Sequence, residues 1–385
     1  MTLFSNLRFC MQRTLACTAG VLLASTMATG ATLHAQKTAP MHIYFIDVEG
    51  GQSTLFVMPD HTSLLVDTGF PGNGGRDSQR IVDTAKKAGI SRIDYVLLTH
   101  YHLDHLGGVP ELVTKIPVGT FIDHGENRET VVPGTVRNYE NYQAMLQSGK
   151  YKHIVVKPGD KLPIPGVDLT FLSAAGEVLD KPLPGAGQAN AACSAPDNMP
   201  EGINTPDQAE NAQSAGFEMN FGKLRILDLG DLTWDKERLL MCPINKIGHI
   251  NLLVVSHHGS KPSSSPALID GISPQVAIMD NGERKGGYVP VLDTIRATPS
   301  KPDLWQLHYA LEGGDQHNTG KAMIANLLSP DGEAAAKVLA EGKPLPRPTS
   351  HADDAGNSIT VEAYANGRFT VTNGRNGFAK TYQAK

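Results

Sequence analysis

LLTHYHLDHLGG, residues 97–108, decides the reading of this chain. A run of strand-forming residues (Tyr95, Val96, Leu97, Leu98) stops abruptly at His100, His102, Asp104 and His105. Alternation along an extended chain puts His100 and His102 on one side, and a turn into a helix swings Asp104 and His105 to the other. Two groups of ligands can then face two metal positions. Imidazole nitrogen and carboxylate oxygen suit Zn(II) and also accept Mn(II) or Fe(II), so the donors imply a divalent cation more firmly than one element. The competing reading is a solvated polar loop. It explains poorly why three histidines and an aspartate fall within residues 100–105, directly before Gly107 and Gly108.

The HxHxDH pattern of His100, His102, Asp104 and His105 resembles the signature of metallo-β-lactamase fold hydrolases. The segment FIDVEGGQSTLFVMPDHTSLLVDTG, residues 45–69, is similar to the opening of such proteins, and specifically to the hydrolase domain of the bacterial competence DNA-uptake channel. The resemblance implies an α/β fold, a four-layer αββα sandwich. It implies that Asp67 orients a ligating histidine from behind, although a strand-end carboxylate is also a common turn cap. Further on, GFEMNFGKLRILDLGDL (residues 216–232) reads as two strands around Gly222, and Asp231 fits the carboxylate that bridges both metals in the superfamily. The aliphatic run 250–256 stops at His257-His258-Gly259-Ser260, wording shared with the competence relatives. One of the pair is expected to complete the position of Asp104 and His105, His258 ahead of His257, with the other at the rim, able to meet an anionic oxygen or carry a proton. Many members carry a third histidine about where Asn211 stands here, so the position of His100, His102 and Asp231 is left with at most a weak amide oxygen.

Composition excludes little but orders the choices. The 385 residues are enough for a full core, and a net charge of -5 gives no basic footprint of the kind a dedicated nucleic-acid binder usually has. Nucleic acid stays open as a substrate without support from charge. Residues 1–35 combine Arg8 and Arg13, an apolar small-residue run and a small residue at Ala35, the order of a secretory signal peptide. A secreted or periplasmic protein is therefore expected, with no membrane span in the mature chain and one hydrolase domain over 36–385. Of four cysteines, Cys193 and Cys242 remain after such a cut, and pairing or two free thiols both stay open.

The remaining chain alternates short strands with helical patterns: strands near 41–48, 53–58, 62–66, 93–99 and 118–123, and helices near 79–88, 109–116 and 135–148. The first hairpins are expected to build a sheet edge. Residues 176–209, rich in Pro, Gly, Ala and Asn, read as a long loop and a candidate cover for the site. His124 at a strand end and His317 in a Gly-flanked loop are candidate substrate contacts, His124 also a candidate ligand. Short helices are expected at 324–328 and 331–339, and a C-terminal hairpin around Asn366-Gly367. Assembled, the resemblance implies a dinuclear hydrolase, with two Zn(II) foremost, in which a metal-activated water attacks a phosphodiester. Another ester, a lactone or a lactam is the alternative substrate, and a non-catalytic binding protein that keeps the fold is the alternative of another class. Asp104 and His257 carry the expected catalytic roles.

Overall fold

Strands Thr54–Val57 and Ser63–Val66 are buried along their whole length rather than at alternate positions. Strands of this kind need cover on both faces, and the computed structural model supplies it. It describes residues 39–194, 209–344 and 355–385. The expected signal peptide and the later part of the long loop, 195–208, lie outside the described residues.

Met41–Lys385 forms one compact unit built on two nine-stranded sheets. The first runs Ala379–Gln383, Arg368–Asn373, Ile359–Ala363, Met41–Phe45, Thr54–Val57, Ser63–Val66, Ile93–Leu97, Val118–Asp123, Lys152–Val155. The second runs Ile324–Asn326, Asp303–His308, Val276–Met279, Leu252–Val254, Leu224–Asp228, Gly216–Phe221, Asp168–Ala174, Lys161–Leu162, with Glu177–Val178 paired to Asp168–Ala174. Phe45, Phe56, Phe171, Phe217, Trp305 and Phe369 belong to one buried cluster fed by both sheets. A second cluster joins Leu227, Leu253 and Ala277 to helices Trp234–Met241, Pro266–Ile272 and Val289–Ala297. A third joins Leu65, Val96 and Phe121 to helices Arg76–Lys87, Val109–Lys115 and Pro133–Gln147. Helix, sheet, sheet, helix is the four-layer order expected.

The helices follow their apolar stripes. In Arg76–Lys87, Ile81, Val82 and Ala85 are buried and Lys86 and Lys87 close the last turn, where cations complement the helix dipole.

Several expectations change. The opening hairpin is not at an edge, because Met41–Phe45 pairs with Ile359–Ala363 on one side and Thr54–Val57 on the other. The C-terminal hairpin is thus an interior part of the first sheet, and a third strand, Ala379–Gln383, follows it. Residues 324–326 are a strand pairing in parallel with Asp303–His308, not a helix. The described part of the long loop is tied down: Gln188–Ala189 pairs with Ile244–Asn245, and Cys193 is disulfide-bonded to Cys242.

The parallel strands position the site. Ser63–Val66, Ile93–Leu97 and Val118–Asp123 run parallel in one sheet, and Leu224–Asp228, Leu252–Val254, Val276–Met279 and Asp303–His308 in the other. Loops leaving the carboxyl ends of such strands are where α/β folds collect ligands. Asp67, His100, Asp231, His257 and Asp280 all lie just past such ends.

Candidate metal centre

Asp67 leaves its strand with φ 58°, a left-handed turn that Asp tolerates. Its carboxylate accepts from the Thr99 backbone N–H at 2.8 Å, the Thr99 hydroxyl at 2.7 Å and His105 Nδ1 at 2.7 Å. The loop from residue 98 is thereby pinned, and helix Leu103–Leu106 presents Asp104 and His105. From the other sheet, Gly230 at φ 55° brings its chain against Thr99, so close that a Cβ there would stand 2.8 Å from the Thr99 Cβ. Asp231 follows, buried between the sheets' loops.

Two groups of donor atoms result. Asp104, His105, Asp231 and His258 each offer an atom within 4.8 Å of the others, and so do His100, His102 and Asp231. Asp231 belongs to both: Oδ2 faces His100 Nε2 at 3.8 Å and His105 Nε2 at 3.4 Å, while Oδ1 faces His258 Nε2 at 3.7 Å.

The outer nitrogens fix which ring atom points inward. His105 Nδ1 donates to Asp67. His102 Nε2 donates to Glu129 Oε2 at 3.1 Å. Thr99 gives its proton to Asp67, so its oxygen accepts from His100 Nδ1 at 3.1 Å. His258 Nδ1 faces Asp280 Oδ1 at 3.4 Å. With the outer N–H groups of His100, His102 and His105 committed, their other nitrogens point inward: His100 Nε2 and His102 Nδ1 at 3.0 Å, His105 Nε2 and His258 Nε2 at 3.3 Å. Lone pairs at that separation need a cation or a proton between them.

The electrostatics agree. Burial works against a charged His105, yet Asp231, Asp104 and Asp67 outweigh it and hold its pKa well above the usual imidazole value. Burial opposes the charge on Asp231 too, and His257, His105 and His258 outweigh it, holding that carboxyl well below its usual range. Donors of this kind give up their protons when a divalent cation binds. Asp231 Oδ1 and both Asp280 oxygens are buried without a hydrogen-bond partner. Nitrogen and carboxylate donors, with no thiolate among them, fit divalent cations in both groups.

His257 and His258 adopt left-handed backbone, φ 56° and 55°. Their rings splay, with centroids 6.2 Å apart and planes at 75°. His257 Nε2 lies 3.4 Å from Asp231 Oδ2 and 3.4 Å from Asn211 Nδ2. Burial pushes its pKa down to about 4.

Two expected contacts lie outside both groups. His124 is buried, donates to Glu210 Oε2 at 3.1 Å and packs on Tyr101; Glu210 also takes the Tyr101 and Arg128 backbone N–H groups, so His124 braces the metal loop from behind. His317 bonds Asp293 at 2.7 Å on the outer helix layer. Sequence reading missed Glu129, Asp280, Ser263 and Lys285. Asp280 had a signal, an aliphatic strand ending in a carboxylate as at Asp67. Lys285 had none in a Gly-rich loop: its ammonium touches Asp104 Oδ2, donates to the Gly50 carbonyl at 2.7 Å and lies over the Phe70 ring.

The family model described as Metallo-beta-lactamase superfamily matches residues 46–189. The chain carries a metallo-beta-lactamase superfamily domain. Recombination protein 2 of Haemophilus influenzae is 26% identical over 62% of this chain and 24% of its own length. ComE operon protein 3 of Bacillus subtilis is 26% identical over 64% of this chain and 29% of its own. The chain therefore spans about a quarter of the length of these relatives. Among solved structures, the metallo-beta-lactamase fold protein YhfI of Bacillus subtilis aligns over 69% of this chain and 96% of its own, with 13% identity and a TM-score of 0.43.

Proposed function

We propose that the protein is an exported, metal-dependent hydrolase acting on a phosphodiester. The observation that carries the reading is the convergence of two inward-facing donor groups on the shared carboxylate of Asp231. In this reading Asp104, His105, His258 and Asp231 hold one divalent cation, and His100, His102 and Asp231 the other, with two Zn(II) as the first choice and Mn(II) or Fe(II) as alternatives. Such cations supply electrophilic polarisation of a substrate oxygen and an acidified water at neutral pH. Asp67, Glu129 and Thr99 hold the rings of His105, His102 and His100 in one tautomer, so little reorganisation is left for the moment of reaction.

An anionic substrate is supported by Lys285, whose ammonium stands beside Asp104 with its side chain 38% exposed. That charge would meet a phosphodiester oxygen at the open side of the site. The likeness to competence proteins supports the same choice over a lactone or lactam. Export is supported by the Cys193–Cys242 disulfide, a bond that persists in oxidising compartments. Among the described residues no helix is long and apolar enough to cross a membrane.

The test is a panel of bis(p-nitrophenyl) phosphate, a lactone and nitrocefin, with the wild type and Asp104→Ala. Turnover of the phosphodiester that Asp104→Ala abolishes is expected. Activity on nitrocefin alone overturns the substrate choice, and less than one equivalent of divalent metal after reconstitution overturns the enzyme reading.

A further inference from the structure

Helices Val109–Lys115 and Pro133–Gln147 leave a cleft of about 310 Å³ between them, a size that suits a small ligand. Leu106, Val109, Pro110, Val113, Tyr142 and Met145 line it. Its wall also carries Asn138, whose Nδ2 is buried without a hydrogen-bond partner. A buried donor in an apolar wall is costly until a ligand brings it an acceptor. Tyr142 adds no second free group, because its hydroxyl donates to Asp123 at 2.8 Å.

The cleft starts beside the metal centre. Leu106 and Gly107 follow His105 directly, and on the opposite wall Asn138 stands one turn past Thr135. Thr135 donates to Glu129 Oε2 at 2.7 Å, the same oxygen that takes His102 Nε2. His102 keeps 27% of its side chain exposed, so the centre is open on this side. Around it large apolar side chains face water: Leu103 is 44% exposed, Val132 43% and Val131, two positions past Glu129, 85%. Lys285 stands at Asp104 instead. An anion-holding position is thus joined to an apolar border that leads toward the cleft.

We propose that the cleft holds the hydrocarbon chain of the substrate, a phosphodiester that carries a single acyl chain whose ester carbonyl accepts from Asn138 Nδ2. The proposal rests on the phosphodiesterase reading above and names its substrate class, a single-chain, lipid-like phosphodiester.

The test uses the metal-loaded full-length protein with p-nitrophenyl alkyl phosphates bearing methyl, butyl or octyl chains. From methyl to butyl, KM should fall about 2- to 4-fold per methylene, a comparison within the wild type that needs no variant. Met145→Trp, which fills the cleft, should level the series. Methyl octanoate, a chain with an ester carbonyl and no phosphate, should compete with the octyl substrate, and Asn138→Leu should weaken that inhibition about 3- to 10-fold. A KM independent of chain length would overturn the proposal. Non-competitive inhibition by methyl octanoate would overturn it too, marking a lipid site apart from the substrate. So would a dimer in solution that Met145→Trp dissociates, since a second copy would then fill the cleft. No turnover of any of the three phosphodiesters would instead sink the phosphodiesterase reading. Calorimetry with methyl octanoate then decides the cleft alone: uptake that Met145→Trp abolishes keeps it as a chain site, and no uptake by the wild type removes it.

Discussion

Replacing Lys285 by methionine should change metal affinity and substrate affinity in opposite directions. The Lys285 ammonium touches Asp104 Oδ2, which lies 3.2 Å from His258 Nε2 and 3.5 Å from His105 Nε2. A divalent cation among those atoms stands roughly 5 Å from the ammonium. With a side chain one-third exposed, an effective dielectric of about 40 to 80 applies, and the repulsion of one charge by two is about 2 to 3 kcal/mol. Metal binding must also break the Lys285–Asp104 ion pair, worth up to about 1 kcal/mol at such exposure. Part of this is relieved when the lysine swings away, so Lys285→Met should bind the cation at this position about 10- to 100-fold more tightly. Calorimetric titration with Zn(II) or Mn(II) at about 0.05 M and about 0.5 M salt checks it, because screening shrinks the gap between the proteins as salt rises. KM for bis(p-nitrophenyl) phosphate should rise about 10-fold in the same variant. Metal affinity that is unchanged or weaker in Lys285→Met would refute the reasoning, since it would mean that the ammonium and the cation do not compete for Asp104.

Asp67→Asn keeps the shape of a side chain that accepts three hydrogen bonds but turns one oxygen into a donor facing Thr99 or His105. It should cost about 1 to 3 kcal/mol in urea unfolding and lower metal affinity about 10- to 100-fold; an unaltered metal isotherm would count against the support given to His105. Glu237, buried, accepts from the Ser264 and Ser265 backbone N–H groups, and burial raises its pKa to about 7. The folded state therefore binds a proton that the unfolded state has released between about pH 4.5 and 7, so this group makes stability fall as pH rises through that window. Glu237→Gln should gain on the wild type by about 3 kcal/mol from pH 4.5 to 7.5 in denaturant titrations, and a constant difference across that range would contradict the assignment. The Cys193–Cys242 disulfide closes a loop across 49 positions. Its loss in the double serine variant should cost up to about 4 kcal/mol by the chain-entropy estimate, with an unchanged melting temperature as the opposing result.

What could be read in advance was whatever breaks a local pattern. His100, His102, Asp104 and His105 interrupt an aliphatic strand, and Asp231 and His258 do the same, so their chemistry stands out against the β-run before them. Outer partners have no such contrast. Glu129 lies in a polar loop 27 positions from His102, and Ser263 in a Ser-rich turn; only tertiary contact gives them meaning. Strand Ile324–Asn326 is three residues long, too short for periodicity to separate from a helix. Ala379–Gln383 is an edge strand with only Tyr382 buried, so its sequence carries almost no apolar alternation. The hairpin around Asn366-Gly367 was plain from its turn, but its pairing with Met41–Phe45 joins the two ends of the domain, and no local signal encodes so distant a contact.

The pair at 257–258 shows how backbone cost can locate function where spacing does not. A non-glycine residue in the left-handed region costs about 1 kcal/mol or more, and two in succession at His257 and His258 are retained inside a buried loop. Relaxing His258 would turn its ring away from Asp104 and Asp231 and remove a donor from its group. The neighbours hold that geometry in place: Gly286 packs so closely that a Cβ there would stand 2.1 Å from the His258 carbonyl, and the His257 N–H donates to the Gly230 carbonyl at 3.1 Å. The loop that carries Asp231 and the loop that carries the histidine pair are thus fastened by main-chain contacts before any cation arrives. A site assembled in this way binds metal by filling a preformed gap, with its strain already offset by the packing of both sheets.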